Sequence, residues 1–350
     1  MFGQHRHNCS NTVFGGALGP RTTLFSPVGI RSGMSIRDLI SSTSATPVDA
    51  LTSNHIVRNF VGGLRLMLND RTTAVYFWIL VGIAVLGLVG PAIAPYDIEE
   101  TQYDDETGEV LSAAPPSLDH PLGTTFAGYD VLSRLLVGAR PTVITGVLGG
   151  GLILTIGTTI GITAGYVGGR TETILMRFTD FAYGVPLIPF GIVMITFLGV
   201  GFISSILVIG LILWRGGARV IRAQTLQIKQ YPFVKVARAT GASRRRIIIK
   251  HILPNVAPMA IFFLALGVGY AIMLQASLTF LGVASPFTPS WGVMIRNAFN
   301  SGYMSEAWWW SLTPGLLIGI TVLSTFMFGR GYEDLITADG ESVEADTVAA

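Results

Sequence analysis

Cysteine is almost missing from this chain. Its 350 residues hold one, Cys9, which excludes an intrachain disulfide framework and a metal site built from several thiolates. Charge is scarce as well. Asp, Glu, Lys and Arg make up 13% of the residues, about half the share of a soluble domain. Five stretches, Ala74–Ala94, Thr142–Tyr166, Tyr183–Trp214, Asn255–Gly282 and Trp308–Gly329, contain no Asp, Glu, Lys, Arg or His at all. Proton-coupled carriers and intramembrane hydrolases usually place ionisable groups at depth to move protons or activate nucleophiles, so these stretches argue against both. The chain has no H-E-x-x-H, G-x-S-x-G or G-x-x-x-x-G-K-[ST]. Gly149-Gly150-Gly151 lies inside an apolar stretch without the lysine of a phosphate loop, and close helix packing is its reading. A sodium-coupled carrier that uses backbone carbonyls stays open as a rival.

What is present is apolar. Hydrophobic residues make up 50% of the chain, with 42 glycines and a mean hydropathy of +0.56. Four of the five stretches are long enough to cross about 30 Å of hydrocarbon once as helices. The fifth, Tyr183–Trp214, is too long for one span and short for two. Gly199-Val200-Gly201 divides it, which predicts a tight hairpin of two tilted helices. Charge decides that point. With six spans and both termini inside, 20 of the 23 Lys/Arg fall in inner segments, and only Arg134, Arg140 and Arg296 fall outside. Acidic residues divide 11 inside and 10 outside, so the bias belongs to Lys/Arg alone, as the positive-inside rule requires.

These boundaries predict a cytoplasmic N-terminal segment at 1–72, a first span at 73–95 and an extracytoplasmic segment at 96–141. A five-helix core at 142–332 and a disordered cytoplasmic tail at 333–350 follow. Residues 1–33 are rich in Gly, Thr and Asn without periodicity and read as disordered. No apolar h-region marks a signal peptide there, and "MSIRDLISS" from Met34 resembles an ordinary start. His5, Arg6, His7 and Cys9 lack a second cluster that would make a metal site, and Asn8-Cys9-Ser10 is a chance sequon on an inside terminus. Eight acidic residues between Asp97 and Asp119 read as a solvated outer loop, without the alternating spacing of a calcium loop. Trp308-Trp309-Trp310 reads as an interfacial aromatic belt.

One segment breaks the scarcity of charge. Arg215–Lys250 holds ten Lys/Arg and no Asp or Glu. Each such cation at the bilayer centre would cost about 2.5–3.5 kcal/mol, so the segment 215–254 is a cytoplasmic loop. Pro232 suits a first helical position. Phe233, Val236, Ala237 and Thr240 then share one weakly apolar face, with Lys235 and Arg238 on the other side. Gly241 supplies a stop, Ser243 a cap for a second helix towards Ile252, and Pro254 marks the next span. The loop reads as helix, glycine turn, helix. Arg244, Arg245 and Arg246 also suit anionic lipid headgroups.

"FVKVARATGAS" (Phe233–Ser243) followed by "HILPN" (His251–Asn255) resembles the EAA loop of ABC importer permeases, whose pattern is E-A-A, three residues, G, then I-x-L-P. "HPLGTTFAGYDVLSRLLVGAR" (His120–Arg140), "ASLTFLGVASPFTPSWG" (Ala276–Gly292) and "AWWWSLTPG" (Ala307–Gly315) are similar to segments of the dipeptide, oligopeptide and nickel subfamily. Together the likeness covers roughly residues 60–335. It implies an all-α membrane protein with the type I ABC importer permease fold, six transmembrane helices and cytoplasmic termini. It implies a multi-pass subunit of the cytoplasmic membrane that moves dipeptides or oligopeptides, with nickel or another small solute as the alternative and a self-powered carrier as a weaker one.

The same likeness implies the partners. These are cytoplasmic ABC ATPase subunits that hold the ATP and magnesium, a second homologous permease forming a heterodimer, an extracytoplasmic substrate-binding protein and the lipid bilayer. It implies no catalytic residue, resident cofactor, metal or nucleic acid for this chain. The implied ATPase-coupling residues are Phe233, Val234, Lys235, Ala237, Arg238, Gly241, Ala242, Ser243, Ile252 and Pro254. Three positions depart from the pattern. Lys235 stands where the loop glutamate is usual, Gln275 where a glutamate precedes the "ASLSFLG"-like stretch, and Tyr129 where an arginine is usual.

Overall fold

The computed structural model describes residues 70–349 apart from 284 and 286, with the side chains of 335–349 left aside. The expectations for the N-terminal segment before residue 70, including the disorder at 1–33, Met34 and the cluster around Cys9, lie outside the described residues. Among the described residues the chain is helical, with three isolated antiparallel bridges and no strand.

α1 (Arg71–Ile93) begins at Asp70, whose carboxylate accepts from the Thr73 N–H at 2.9 Å, a cap of the usual kind. It coincides with the first expected span. α2 (Val131–Val167) has 37 residues and starts eleven before the expected span at Thr142. Asp130 sets the early start, since its carboxylate accepts from both the N–H and the hydroxyl of Ser133 at 2.7 Å. Arg134 and Arg140, taken as outer-loop residues, are therefore helical. At 1.5 Å per residue α2 is about 55 Å long and outreaches the hydrocarbon.

The divided stretch breaks where its glycines predict. α4 (Leu187–Leu198) ends at Gly199, φ +86°, and α5 (Phe202–Leu213) begins after Gly201. Each has 12 residues, about 18 Å, too short to cross alone. α3 (Gly169–Gly184) meets α4 at a 98° bend, and α6 (Arg215–Ile228) continues α5 at a 44° bend. Among the described residues four helices are long and apolar enough to span, and up to six if each bent pair counts as one.

α7 (Pro232–Ala239), α8 (Arg244–Ile247), a π-turn (Ile248–Ile252) and α9 (Leu253–Phe280) follow, then α10 (Trp291–Asn300) and α11 (Trp308–Ala349). α11 runs on through residues 333–349, the segment read from the sequence as a tail. No proline lies between Arg330 and Ala349 to stop it.

α2 is the hub. A Cβ on Gly150 would lie 2.9 Å from the Val268 nitrogen of α9, and one on Gly161 2.8 Å from the Ala218 carbonyl of α6. Backbones approach this closely only where the side chain is a hydrogen. At the other end, the segment between α1 and α2 is folded rather than a loose acidic loop. His120 Nδ1 lies 3.0 Å from Asp130 Oδ1, both buried, and the Tyr96 N–H donates to Ser133 Oγ. The tryptophan triplet is also corrected. Trp309 and Trp310 are buried, Trp309 Nε1 donates to the Thr124 carbonyl at 3.2 Å, and Trp308 is exposed.

Candidate functional site

The cationic segment is rigidly mounted at one end of the bundle. α6 packs along α2, and two ion pairs hold it to α3. Arg222 Nε donates to Glu172 Oε1 at 2.8 Å, and Arg219 pairs with Asp180 at 2.6 Å. Arg215 and Arg219 also lie over the Tyr183 ring, 5.0 and 4.2 Å from its centre, within cation–π range. These contacts occupy the cations of α6.

From Lys229 the chain turns sharply into α7, which opens on Pro232. Eight residues later it stops. Gly241 has φ +81°, a conformation glycine adopts without a Cβ penalty, and the Ala242 N–H closes the turn on the Ala237 carbonyl at 3.1 Å. Ser243 then caps α8 by accepting from the Arg246 N–H. Pro232, Gly241 and Ser243 thus hold the places that the sequence predicts. Pro254 stands in the first turn of α9.

The side chains of α7 face differently from the expectation. Val234 is fully buried in a cluster with Tyr166, Ile228, Ile247, Ile252 and Val256, and Ala237 and Ala242 pack against it. The weakly apolar face is split: Ala237 packs inward, whereas Phe233 is 42% and Val236 61% exposed, and Thr240 is exposed too. Two stripes with helical spacing exist here, Phe233/Val236/Thr240 and Val234/Ala237/Gly241. An eight-residue helix cannot choose between them without its neighbours. The signal that was missed is Val234 itself, which continues the Ile228 face across the turn.

The structure therefore brings Val234, Ala237, Ala242 and Ile252 together as a mount. It leaves Phe233, Lys235, Arg238 and Ser243 exposed. Phe233 lies against the rings of Tyr231 and His251, 5.7 and 6.1 Å away between centres. Among the described residues no carboxylate pairs with Lys235, Arg238, Arg244, Arg245, Arg246 or Lys250. Nor do any three His, Cys, Asp or Glu among those residues form a group able to hold a metal. α7 is thus a short helix with an apolar-and-cationic outer face, a surface suited to protein contact.

Residues 157–336 match the family of binding-protein-dependent transport system inner membrane components. The chain belongs to that family. The dipeptide transport system permease protein of Bacillus subtilis (strain 168) is 34% identical over 274 residues, covering 78% of this chain and 83% of that protein. The oligopeptide transport system permease protein of Haemophilus influenzae is 32% identical over 275 residues, covering 78% and 86%. The glutathione transport system permease protein of Escherichia coli O6:K15:H31 is 35% identical over 266 residues, covering 75% and 84%. This inner membrane component is accordingly a multi-pass transport permease of the ABC import type. Family membership implies an ATPase and a substrate-binding protein as its working partners.

Proposed function

We propose that this permease carries dipeptides and oligopeptides inwards across the membrane, driven by ATP that a separate ATPase hydrolyses. The peptide class rests on the names of its relatives, which are dipeptide, oligopeptide and glutathione permeases. The coupling role rests on one observation. α7 has its inner side anchored by Val234 and presents Phe233, Lys235, Val236 and Arg238 outward. A stiff, anchored helix transmits a push from a partner into α2, α6 and α9, which a loose loop would absorb.

In this scheme the cation-rich end, with α7, faces the cytoplasm. The 94–130 segment and α10 face outside, where the binding protein delivers its load. ATP and magnesium belong to the ATPase subunits, and a second, non-identical permease completes the pathway. Closure of the ATPase pair moves α7 and opens the permease pair outward, and hydrolysis reopens it inward. Phe233, Lys235, Val236 and Arg238 make the contact, Gly241 and Ser243 set the angle, and Val234, Ala237, Ala242, Ile252 and Pro254 hold the mount.

The test is uptake of a labelled dipeptide into proteoliposomes that contain both permeases and the ATPase, with binding protein and ATP. Wild type should accumulate label only with ATP. Gly241→Val, strained at positive φ, should hydrolyse ATP without accumulating label. Uptake that persists without ATP would replace this reading with a self-powered carrier.

A further inference from the structure

The cations beyond Gly241 do not belong to the docking helix. Arg244, Arg245 and Arg246 are all exposed and occupy the first turn of α8, which runs through the π-turn into α9 as one apolar helix from Arg244 to Phe280. Three cations at a helix N-terminus oppose the helix dipole. Among the described residues none of them has a carboxylate partner, so nothing within that part of the protein offsets the placement.

Burial along this turn has a definite pattern. Ile247 and Ile252, five residues apart, are both 1% exposed or less. An α-helix would rotate residues with that spacing well apart, whereas the i→i+5 winding of the π-turn Ile248–Ile252 keeps both inward. The complementary outward set is Arg245, Arg246, Ile249, Lys250 and Leu253, with Ile249 49% and Leu253 39% exposed. Apolar side chains on the way into a spanning helix, topped by unpaired cations, form the surface that meets lipid tails below and headgroups above.

We infer that Arg244, Arg245, Arg246 and Lys250, with Ile249 and Leu253 beneath them, form a binding surface for anionic phospholipid of the inner leaflet. It pins the chain immediately after the glycine turn. This inference rests on the cytoplasmic placement of the loop proposed above and is independent of the peptide substrate. The coupling helix then works between two fixed points, the Val234 mount and a lipid-held α8.

The experiment is native mass spectrometry of the full chain, purified with its partners and titrated with phosphatidylglycerol or phosphatidylcholine. Wild type should retain phosphatidylglycerol preferentially and lose that preference in high salt. Arg244→Gln/Arg245→Gln/Arg246→Gln should weaken it on the order of a hundredfold, about fivefold per cation, with the ATPase still co-purifying. The charge-preserving triple lysine variant should restore it, and Lys235→Gln/Arg238→Gln should leave it unchanged. An unaltered preference in the glutamine variant, or a salt-insensitive one in wild type, overturns the assignment. Loss of the ATPase with lipid preference intact would give the triad to the protein partner instead. If both lipid preference and ATPase binding survive every variant, the coupling-loop reading fails as well.

Discussion

Val234 and Val236 stand two residues apart on one eight-residue helix with opposite surroundings: the first is 0% exposed and the second 61%. Their substitutions should therefore separate folding from coupling. Val234→Ala removes two buried methyl groups and should cost about 2 kcal/mol, lowering the melting temperature in detergent. Val236→Ser should change stability by less than about 0.5 kcal/mol yet reduce recovery of the ATPase in a pull-down. Equal loss of stability in both variants would contradict the orientation of α7.

Gly241 offers a finer test than its simple loss. A Cβ there would meet nothing within 4 Å, so the only obstacle is its φ of +81°. Asn tolerates this region better than Ala, and a β-branched residue is worst. Uptake should fall in the order Gly241→Asn, Gly241→Ala, Gly241→Val, with the alanine strain about 1–2 kcal/mol. A steric role would instead rank the variants by size.

Lys235 is exposed and without an ion-pair partner among the described residues. Lys235→Glu should weaken ATPase binding if the partner groove is acidic. The effect should be largest at low ionic strength and shrink as salt screens exposed charges over about 10 Å. Titrating ATPase binding against salt for both proteins checks this, and parallel curves would remove Lys235 from the contact.

The two ion pairs between α3 and α6 should be unequal. Glu172 and Arg222 are 24% and 33% exposed in their side chains, against 53% and 48% for Asp180 and Arg219. Double-mutant cycles on thermal stability should give about 1 kcal/mol of coupling for the first and at most a few tenths for the second. Reversed values would show that α3 is held chiefly through Asp180.

Glycine positions on the hub should divide sharply. Gly161→Leu must push α2 from α6, since even a Cβ would come within 2.8 Å of the Ala218 carbonyl. It should abolish a monodisperse chromatographic peak. Gly82→Leu on α1 and Gly319→Leu on α11, where a Cβ meets nothing within 4 Å, should purify as wild type.

Much of this was legible beforehand because it is local. The apolar helix at Ala74–Ala94, the break at Gly199–Gly201 and the Pro232–Gly241–Ser243 punctuation each need only a few neighbouring residues. Less legible were features whose deciding partner is remote. The early start of α2 depends on Asp130, whose carboxylate also meets His120, and the burial of Trp309 depends on Thr124, 185 residues away. Arg222 reads as one more loop cation until Glu172 is brought beside it.

By itself the sequence determined that this chain lives in a membrane, which end carries the cations, and which family its motifs join. Hydrophobic length, charge asymmetry and motif spacing are properties of the chain read in order. The tertiary structure alone decided which face of α7 is anchored and which is offered, and which cations are already paired with carboxylates. The physical reason is that an eight-residue helix carries two equivalent stripes. Only the apolar pocket formed by Tyr166, Ile228, Ile247 and Ile252, drawn from three separate helical segments, makes one of them inward.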